Sequence, residues 1–320
     1  MPVHAFIFPG QGSQAVGMGR DLAAAFAAAR EVFEEVDETL KQKLSKLMFE
    51  GPGEELTLTE NTQPALMAHS LAVLRVLERE GGFTLPQKAI VVAGHSLGEY
   101  SALAAAGAFT VPEAARLLKL RGQAMQKAVP AGEGAMAALL GADMAQARAI
   151  CEEAATDPET GERQIVEPAN DNGGGQVVIS GHAAAIDRAI EIAKEKGVRR
   201  AMKLPVSAPF HCALMAPAAD AMAEALEKTA PRSPMVPVVP NVSAQKETAP
   251  DTIRDLLVRQ VTATVRWRDC VAAMADLGVD GFVELGAGKV LAGLVKRIAP
   301  DATAVSAGTP AEIEAVLKTL

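Results

Sequence analysis

A self-contained run of six short elements interrupts this chain between about residues 135 and 204, and it dictates the architecture around it. It reads as strand Ala135–Leu140, helix Asp143–Ala155, strand Gln164–Pro168, strand Gln176–Ser180, helix Ala183–Lys196 and strand Arg199–Leu204. The order βαββαβ is that of a ferredoxin-like unit. Pro130, Gly132 and Gly134 stand before it and Pro205 and Pro209 after it, the punctuation expected where one unit is inserted into another. RNA-recognition domains share this order but stack bases on strand aromatics. Residues 135–204 contain no Phe, Tyr or Trp, which excludes that use.

On both sides of the insert, strands and helices alternate. The strand Val3–Phe8 runs into a glycine-rich turn, Pro9-Gly10-Gln11-Gly12-Ser13-Gln14. Apolar residues at 22, 26, 29, 33, 36 and 40 predict one helix, and Thr62 followed by Pro64 predicts the start of another. The strand Ala89–Ala93 ends at Gly94, and a helix-like stretch covers Leu97–Ala106. After the insert come a helix near 213–228, a strand near 235–239, helices near 250–260 and 267–276, the strand Gly281–Leu285 and a last helix from Ala311. Alternation in both flanks predicts an α/β chain with one parallel, helix-covered sheet. The expected division is a discontinuous catalytic subdomain, 1–132 with 205–320, and a small subdomain, 133–204.

Composition narrows the function. Thirty-one basic against 39 acidic side chains, a net charge of −8, argue against a general nucleic-acid binder. No stretch approaches the ~18 consecutive apolar residues of a membrane span. The N-terminus has no basic segment ahead of its apolar run, so no secretory signal is expected. Cys151, Cys212 and Cys270 are odd in number and far apart, which fits a reducing cytoplasm. Without CxxC, HExxH or HxH, no structural zinc is expected.

The strongest chemical signal is Gly94-His95-Ser96-Leu97-Gly98, a G-x-S-x-G between a buried strand and a helix. There a serine sits on a sharp turn with its hydroxyl exposed at the strand's end. The helix start offers free N–H groups to an oxyanion. The competing explanation is an ordinary glycine-bounded turn. A serine nucleophile needs a base. His4 and His69 read as packing or surface residues and His182 as a turn residue, and His95 is expected to point away from the elbow. His211 lies in the loop that returns from the insert, pinned by Pro205 and Pro209, and is either the base or a satisfied loop histidine. Arg121 lies in an apolar helical stretch. Its guanidinium would suit a carboxylate clamp, or it lies on the solvated face of the helix. The backbone N–H of Gln11, in the glycine-rich turn, is a further oxyanion donor, whereas GxxxxGK[ST] is absent.

Taken together, the chain resembles the malonyl-CoA:acyl carrier protein transacylases of bacterial type II fatty acid synthesis. Eight segments match in order over essentially the whole length. They are FPGQGSQ at 8–14, NTQPAL at 61–66, GHSLGEYSAL at 94–103, RG at 121–122, GQVVISGH at 175–182, PVSAPFHCALM at 205–215, VRQVTATVRW at 258–267 and VELGAG at 283–288. The resemblance implies an α/β-hydrolase-like core with a ferredoxin-like insert. It implies Ser96 as nucleophile, His211 as base, the N–H groups of Gln11 and Leu97 as oxyanion hole, and Arg121 as holder of the malonyl carboxylate. The main-chain carbonyl of Gln260 would orient His211, and Asn170 and Asn172 would lie near the substrate.

The resemblance further implies a cytoplasmic, monomeric enzyme with malonyl-CoA and holo acyl carrier protein as partners, no cofactor, no nucleic acid and no membrane. Carrier proteins of this pathway are acidic, and two basic groups are candidate docking faces: Lys194, Lys196, Arg199, Arg200 and Lys203, and Lys289, Lys296 and Arg297. One rival is an acyltransferase serving a polyketide synthase in trans. The other is a serine esterase or thioesterase, which would need an acidic residue between the serine and a C-terminal histidine.

Overall fold

In the computed structural model, which describes residues 3–206 and 208–320, alternate side chains of β1 (His4–Phe8) enter two different cores. Phe6 and Phe8 join Leu66, Val73 and Leu103 on one face, while Ala5 and Ile7 join Trp267, Val271 and Phe282 on the other. A strand buried on both faces carries an unbroken apolar run, as Ala5-Phe6-Ile7-Phe8 does. The strands β2 (Ala89–Gly94), β1, β7 (Gly281–Leu285) and β8 (Thr303–Ala307) pair in that order, every pair parallel. Parallel pairing needs crossover chain, and one crossover, between β2 and β7, contains the whole insert.

The second sheet is antiparallel, in the order β4 (Val166–Asp171), β5 (Gln176–His182), β3 (Gly134–Leu140) and β6 (Arg200–Lys203). With the helices Met144–Ala154 and Ala183–Glu195 it has the connectivity of a ferredoxin-like unit. Ala137, Leu139, Val177 and Ile179 face those helices. Met136 and Val178, on the opposite face, join the main core. Period-two alternation thus turns the uncovered face of this sheet toward the larger unit.

Several expectations need correction. The stretch 235–239 is not a strand of the sheet: Val238 makes two isolated bridges, parallel to Val92 and antiparallel to Glu247. Pro234, Pro237 and Pro240 carry no N–H, so the ladder cannot extend there. β4 does not stop at Pro168 but continues to Asp171, because an edge strand tolerates a proline and its register shifts there. The helix expected from 22 to 40 is two, Arg20–Ala25 and Ala27–Leu40, parted by an extended Phe26. The helix Val290–Ile298 and strand β8 add to the elements expected from the sequence. Ser207, in the loop ahead of His211, lies outside the described residues.

The end of β4 is tied to the larger unit. Val265 N–H donates to the Ala169 carbonyl at 2.8 Å and Asp171 N–H to the Val265 carbonyl at 2.9 Å. Arg268 Nε reaches Asp171 Oδ2 at 2.9 Å, with the Asp171 side chain only 7% exposed. These contacts hold the two sheets in fixed register across the cleft between them.

Candidate active site

Ser96 stands where β2 gives way to the helix Gly98–Ala105, at φ 54, in the left-handed region. Side chains other than glycine rarely enter that region, and holding one there costs on the order of 1 kcal/mol. The elbow is tight enough to explain its glycines. A Cβ on Gly94 would lie 1.9 Å from the Gly98 backbone, and one on Gly98 would lie 2.2 Å from the Phe8 carbonyl. Ser96 N–H is occupied, donating to Asn241 Oδ1 at 2.8 Å. Leu97 caps the helix start, and Gln11 lines the same cleft. Among the described residues, the N–H groups of Gln11 and Leu97 donate to no backbone or side-chain acceptor.

His211 also has a left-handed backbone, at φ 60. Its Nδ1–H donates to the Gln260 carbonyl at 2.9 Å, which leaves Nε2 bare, and Ser96 Oγ donates to Nε2 at 2.7 Å. Burial first, and the Arg121 charge second, press the imidazole down to about 3. The ring is therefore neutral at ordinary pH and ready to accept a proton. Its Nδ1 partner is a peptide carbonyl and not a carboxylate, unlike the serine esterase arrangement.

Arg121 lies on the helix Val111–Lys127 and is 1% exposed, so the solvated-face reading of this residue is wrong. Gly122 brings that helix against its neighbour: a Cβ there would lie 2.6 Å from Glu60 Cα. Nη1 donates to Gln63 Oε1 at 2.9 Å, and Nη2 donates to Gln260 Oε1 at 2.9 Å and to Ser96 Oγ at 3.2 Å. The Tyr100 ring lies below, its centroid 5.7 Å from the guanidinium carbon. Among the described residues, Nε has no partner. Neutral acceptors alone compensate a buried cation poorly, and burial lowers the affinity of the group for its proton.

The cleft holding these groups encloses about 500 Å³ and is lined from both sheets. The larger unit contributes the glycine-rich turn, the elbow, Arg121, Met125 and His211, and the smaller contributes Met136, Asn170, Asn172 and Val178. Asn170 and Asn172 are both buried, and Asn172 Oδ1 lies 2.9 Å from His95 Nε2. His95 therefore turns into the cleft, against the expectation that it points away.

A model of the acyl transferase domain family matches residues 5–313. The chain belongs to the acyltransferase family. The malonyl CoA-acyl carrier protein transacylase of Escherichia coli K12 is 48% identical over 318 residues, spanning 99% of this chain and 100% of that protein. The crystal structure of an acyl-carrier-protein S-malonyltransferase from Bartonella henselae has a TM-score of 0.94 at 54% identity, over 99% of each chain. A solved complex of a type II polyketide acyl-carrier protein with its malonyl-transacylase matches at a TM-score of 0.94 and 44% identity, over 99% of this chain and 100% of that one.

Around these groups the acyltransferase holds residues that sequence reasoning missed. The sequence pattern puts Gln63 at a helix start, but the helix begins at Thr59 and buries it against Arg121. Asn241, in the proline-rich stretch that stands in place of the expected strand, ties its Nδ2 to the Gly94 carbonyl at 2.7 Å. Glu99 is buried beneath the elbow, and desolvation pushes its carboxyl up to about 7 against the N–H donors that hold it. Only Asn241 carries a sequence signal, as a polar residue after an apolar, proline-punctuated run; Gln63 and Glu99 stand among other polar residues and carry none.

The basic groups carry less free charge than their sequence implies. Lys194 pairs with Glu191, Lys196 with Glu153, Lys203 with Asp187 and Lys289 with Glu312. Lys296 and Arg297 are exposed on the helix Val290–Ile298, whose Val290, Leu291 and Leu294 line the cleft. No helix among the described residues is long and apolar enough to cross a membrane.

Proposed function

We propose that this acyltransferase moves a malonyl group from malonyl-CoA to the phosphopantetheine thiol of an acyl carrier protein, supplying fatty acid synthesis. The observation that carries the reading is the 3.2 Å separation of the Arg121 guanidinium from Ser96 Oγ. A cation so close to the nucleophile suits an acyl group whose own carboxylate lies one methylene from the thioester carbonyl.

Each half-reaction can be derived from the geometry. Ser96 Oγ gives its proton to His211 Nε2 and bonds to the thioester carbon. The carbonyl oxygen becomes an oxyanion held by the N–H groups of Gln11 and Leu97. Such donors contribute roughly 3–4 kcal/mol each in other enzymes. Collapse expels the CoA sulfur, which takes the proton from imidazolium, and leaves malonyl-Ser96. The carrier thiol then gives its proton to His211 and reverses the sequence, restoring Ser96. Electrons are neither gained nor lost, so the cycle requires no redox cofactor. A neutral carbonyl stabilises imidazolium less than a carboxylate would. A thiolate is a good leaving group, so that weaker support is sufficient.

In this reading residues 1–132 with 205–320 form the catalytic subdomain and 133–204 the smaller one, which places Asn170 and Asn172 beside the acyl group. The enzyme works as a cytoplasmic monomer. The acidic carrier docks at the mouth of the cleft against Lys296 and Arg297, on the helix that supplies Val290, Leu291 and Leu294 to its lining. Intact-protein mass after brief mixing with malonyl-CoA tests the transfer. A single malonyl adduct, absent in Ser96→Ala and discharged by holo carrier protein, is expected. Free CoA accumulating with no adduct would replace this reading with a thioesterase. Discharge only by a polyketide carrier would replace fatty acid synthesis with the polyketide role.

A further inference from the structure

Three residues beyond the proposed nucleophile, the Glu99 side chain is buried on the far side of the elbow, 1% exposed. Its Oε2 accepts from Asn241 N–H at 2.9 Å and from Gln260 Nε2 at 2.7 Å. Gln260 Nε2 also donates to the Ser96 carbonyl at 3.1 Å and lies 3.2 Å from Asn241 Oδ1. On its other side, Gln260 Oε1 accepts from Arg121 Nη2 at 2.9 Å. The same residue's main-chain carbonyl accepts from His211 Nδ1.

A primary amide can be placed either way round, and its neighbours decide which. Acceptors surround one side of the Gln260 amide and a guanidinium faces the other. The Glu99 carboxyl is the acceptor at the shortest distance, 2.7 Å against 3.1 and 3.2 Å for the others. With NH2 held against Glu99, Oε1 must face Arg121, which aims Nη2 at Ser96 Oγ. The Gln260 backbone, fixed at the helix end by its own side chain, then presents its carbonyl to His211.

We infer that Glu99 is a positioning residue: acting through the Gln260 amide, it sets the orientation of Arg121 and thereby the preference for an acyl group bearing a carboxylate. This inference rests on the malonyl-transfer reading. It differs from the general benefit of an acid in the first turn of a helix, which would stabilise the fold without touching selectivity.

The test compares kcat/KM for malonyl-CoA and acetyl-CoA in wild type, Glu99→Ala, Glu99→Gln, Arg121→Ala and the double variant Glu99→Ala/Arg121→Ala, with Tm measured for each. Glu99→Ala is expected to lower the malonyl-to-acetyl ratio by roughly tenfold, the range of directly coupled side chains. Glu99→Gln retains an oxygen acceptor and is expected to keep the ratio within about threefold of wild type. In the Arg121→Ala background, Glu99→Ala should leave the ratio unchanged. Should Glu99→Ala fail to fold, Glu99→Asp, which draws the carboxylate back by one methylene, takes its place with the same expected loss. Equal falls for both substrates, an undiminished effect without Arg121, or no rescue by Glu99→Gln would each overturn the inference. If wild type itself shows no malonyl preference, the substrate reading fails instead.

Discussion

On the parallel-sheet side of the cleft, Ser96, His211, Arg121 and Gln260 form one connected hydrogen-bonded group, with the last three buried. On the antiparallel-sheet side, Met136 and Val178 offer apolar surface, and Asn170 and Asn172 are its buried polar side chains. The difference arises from how each sheet is covered. Parallel strands end beside helix N-termini and crossover loops, which gather polar groups from distant parts of the sequence. A sheet with helices on one face has only the alternate side chains of its other face to present. One wall is therefore suited to chemistry and the other to shape.

Breaking the chemical wall should have the largest effects. Ser96→Ala should abolish the acyl-enzyme altogether, read by intact mass. His211→Ala should slow acylation by roughly 10²–10⁴-fold, the usual share of a general base, read by stopped-flow release of CoA. Gly98→Ala attacks the same wall through its backbone, since its Cβ would lie 2.2 Å from the Phe8 carbonyl. It should cost about 1–3 kcal/mol or more of stability, seen as a lowered denaturation midpoint.

The shape wall should be more forgiving. Asn172→Ala removes the partner of His95 but no proposed reacting group, and should change kcat/KM by less than about tenfold. A loss comparable to that of His211→Ala would erase the contrast between the walls.

The smallest expected effect is on pH dependence. His211 is held neutral to about 3 in the folded chain, while an unfolded histidine protonates near 6.5. Its contribution to stability is intact above 6.5 and falls as pH drops toward 3, because only the unfolded chain takes up the proton. Relative to His211→Asn, wild type should lose about 2–4 °C of Tm between pH 7.5 and pH 5. An unchanged difference would mean the ring is not buried as described.

The two walls also differ in how far the sequence discloses them. The insert is legible because its six elements are short, regular and bounded by Pro and Gly. Ser96 is legible because an elbow is a local motif. Arg121 is ambiguous: it lies on the helix face that buries Ala114, Leu117, Leu118, Gly122 and Met125, but a cation near Lys119 in sequence reads as readily as a solvated residue. The Gln260 carbonyl comes from resemblance alone, since a backbone acceptor carries no residue signature. Asn241 is hidden by three prolines that look like a strand's neighbours but forbid its ladder. Glu99 reads as an ordinary acid in a first helical turn, and its partners are 142 and 161 residues away.

The central claim is that a buried cation beside Ser96 reads the carboxylate of the acyl group. It is tested most directly by the ratio of kcat/KM for malonyl-CoA to that for acetyl-CoA in wild type and Arg121→Gln. A hydrogen bond to a charged group contributes about 1.5–3 kcal/mol. At about 1.4 kcal/mol per tenfold, the ratio should fall by roughly ten- to a hundredfold, mostly through loss of the malonyl reaction. If both substrates slow alike and the ratio stands, Arg121 supports the site without reading the substrate, and the account is wrong.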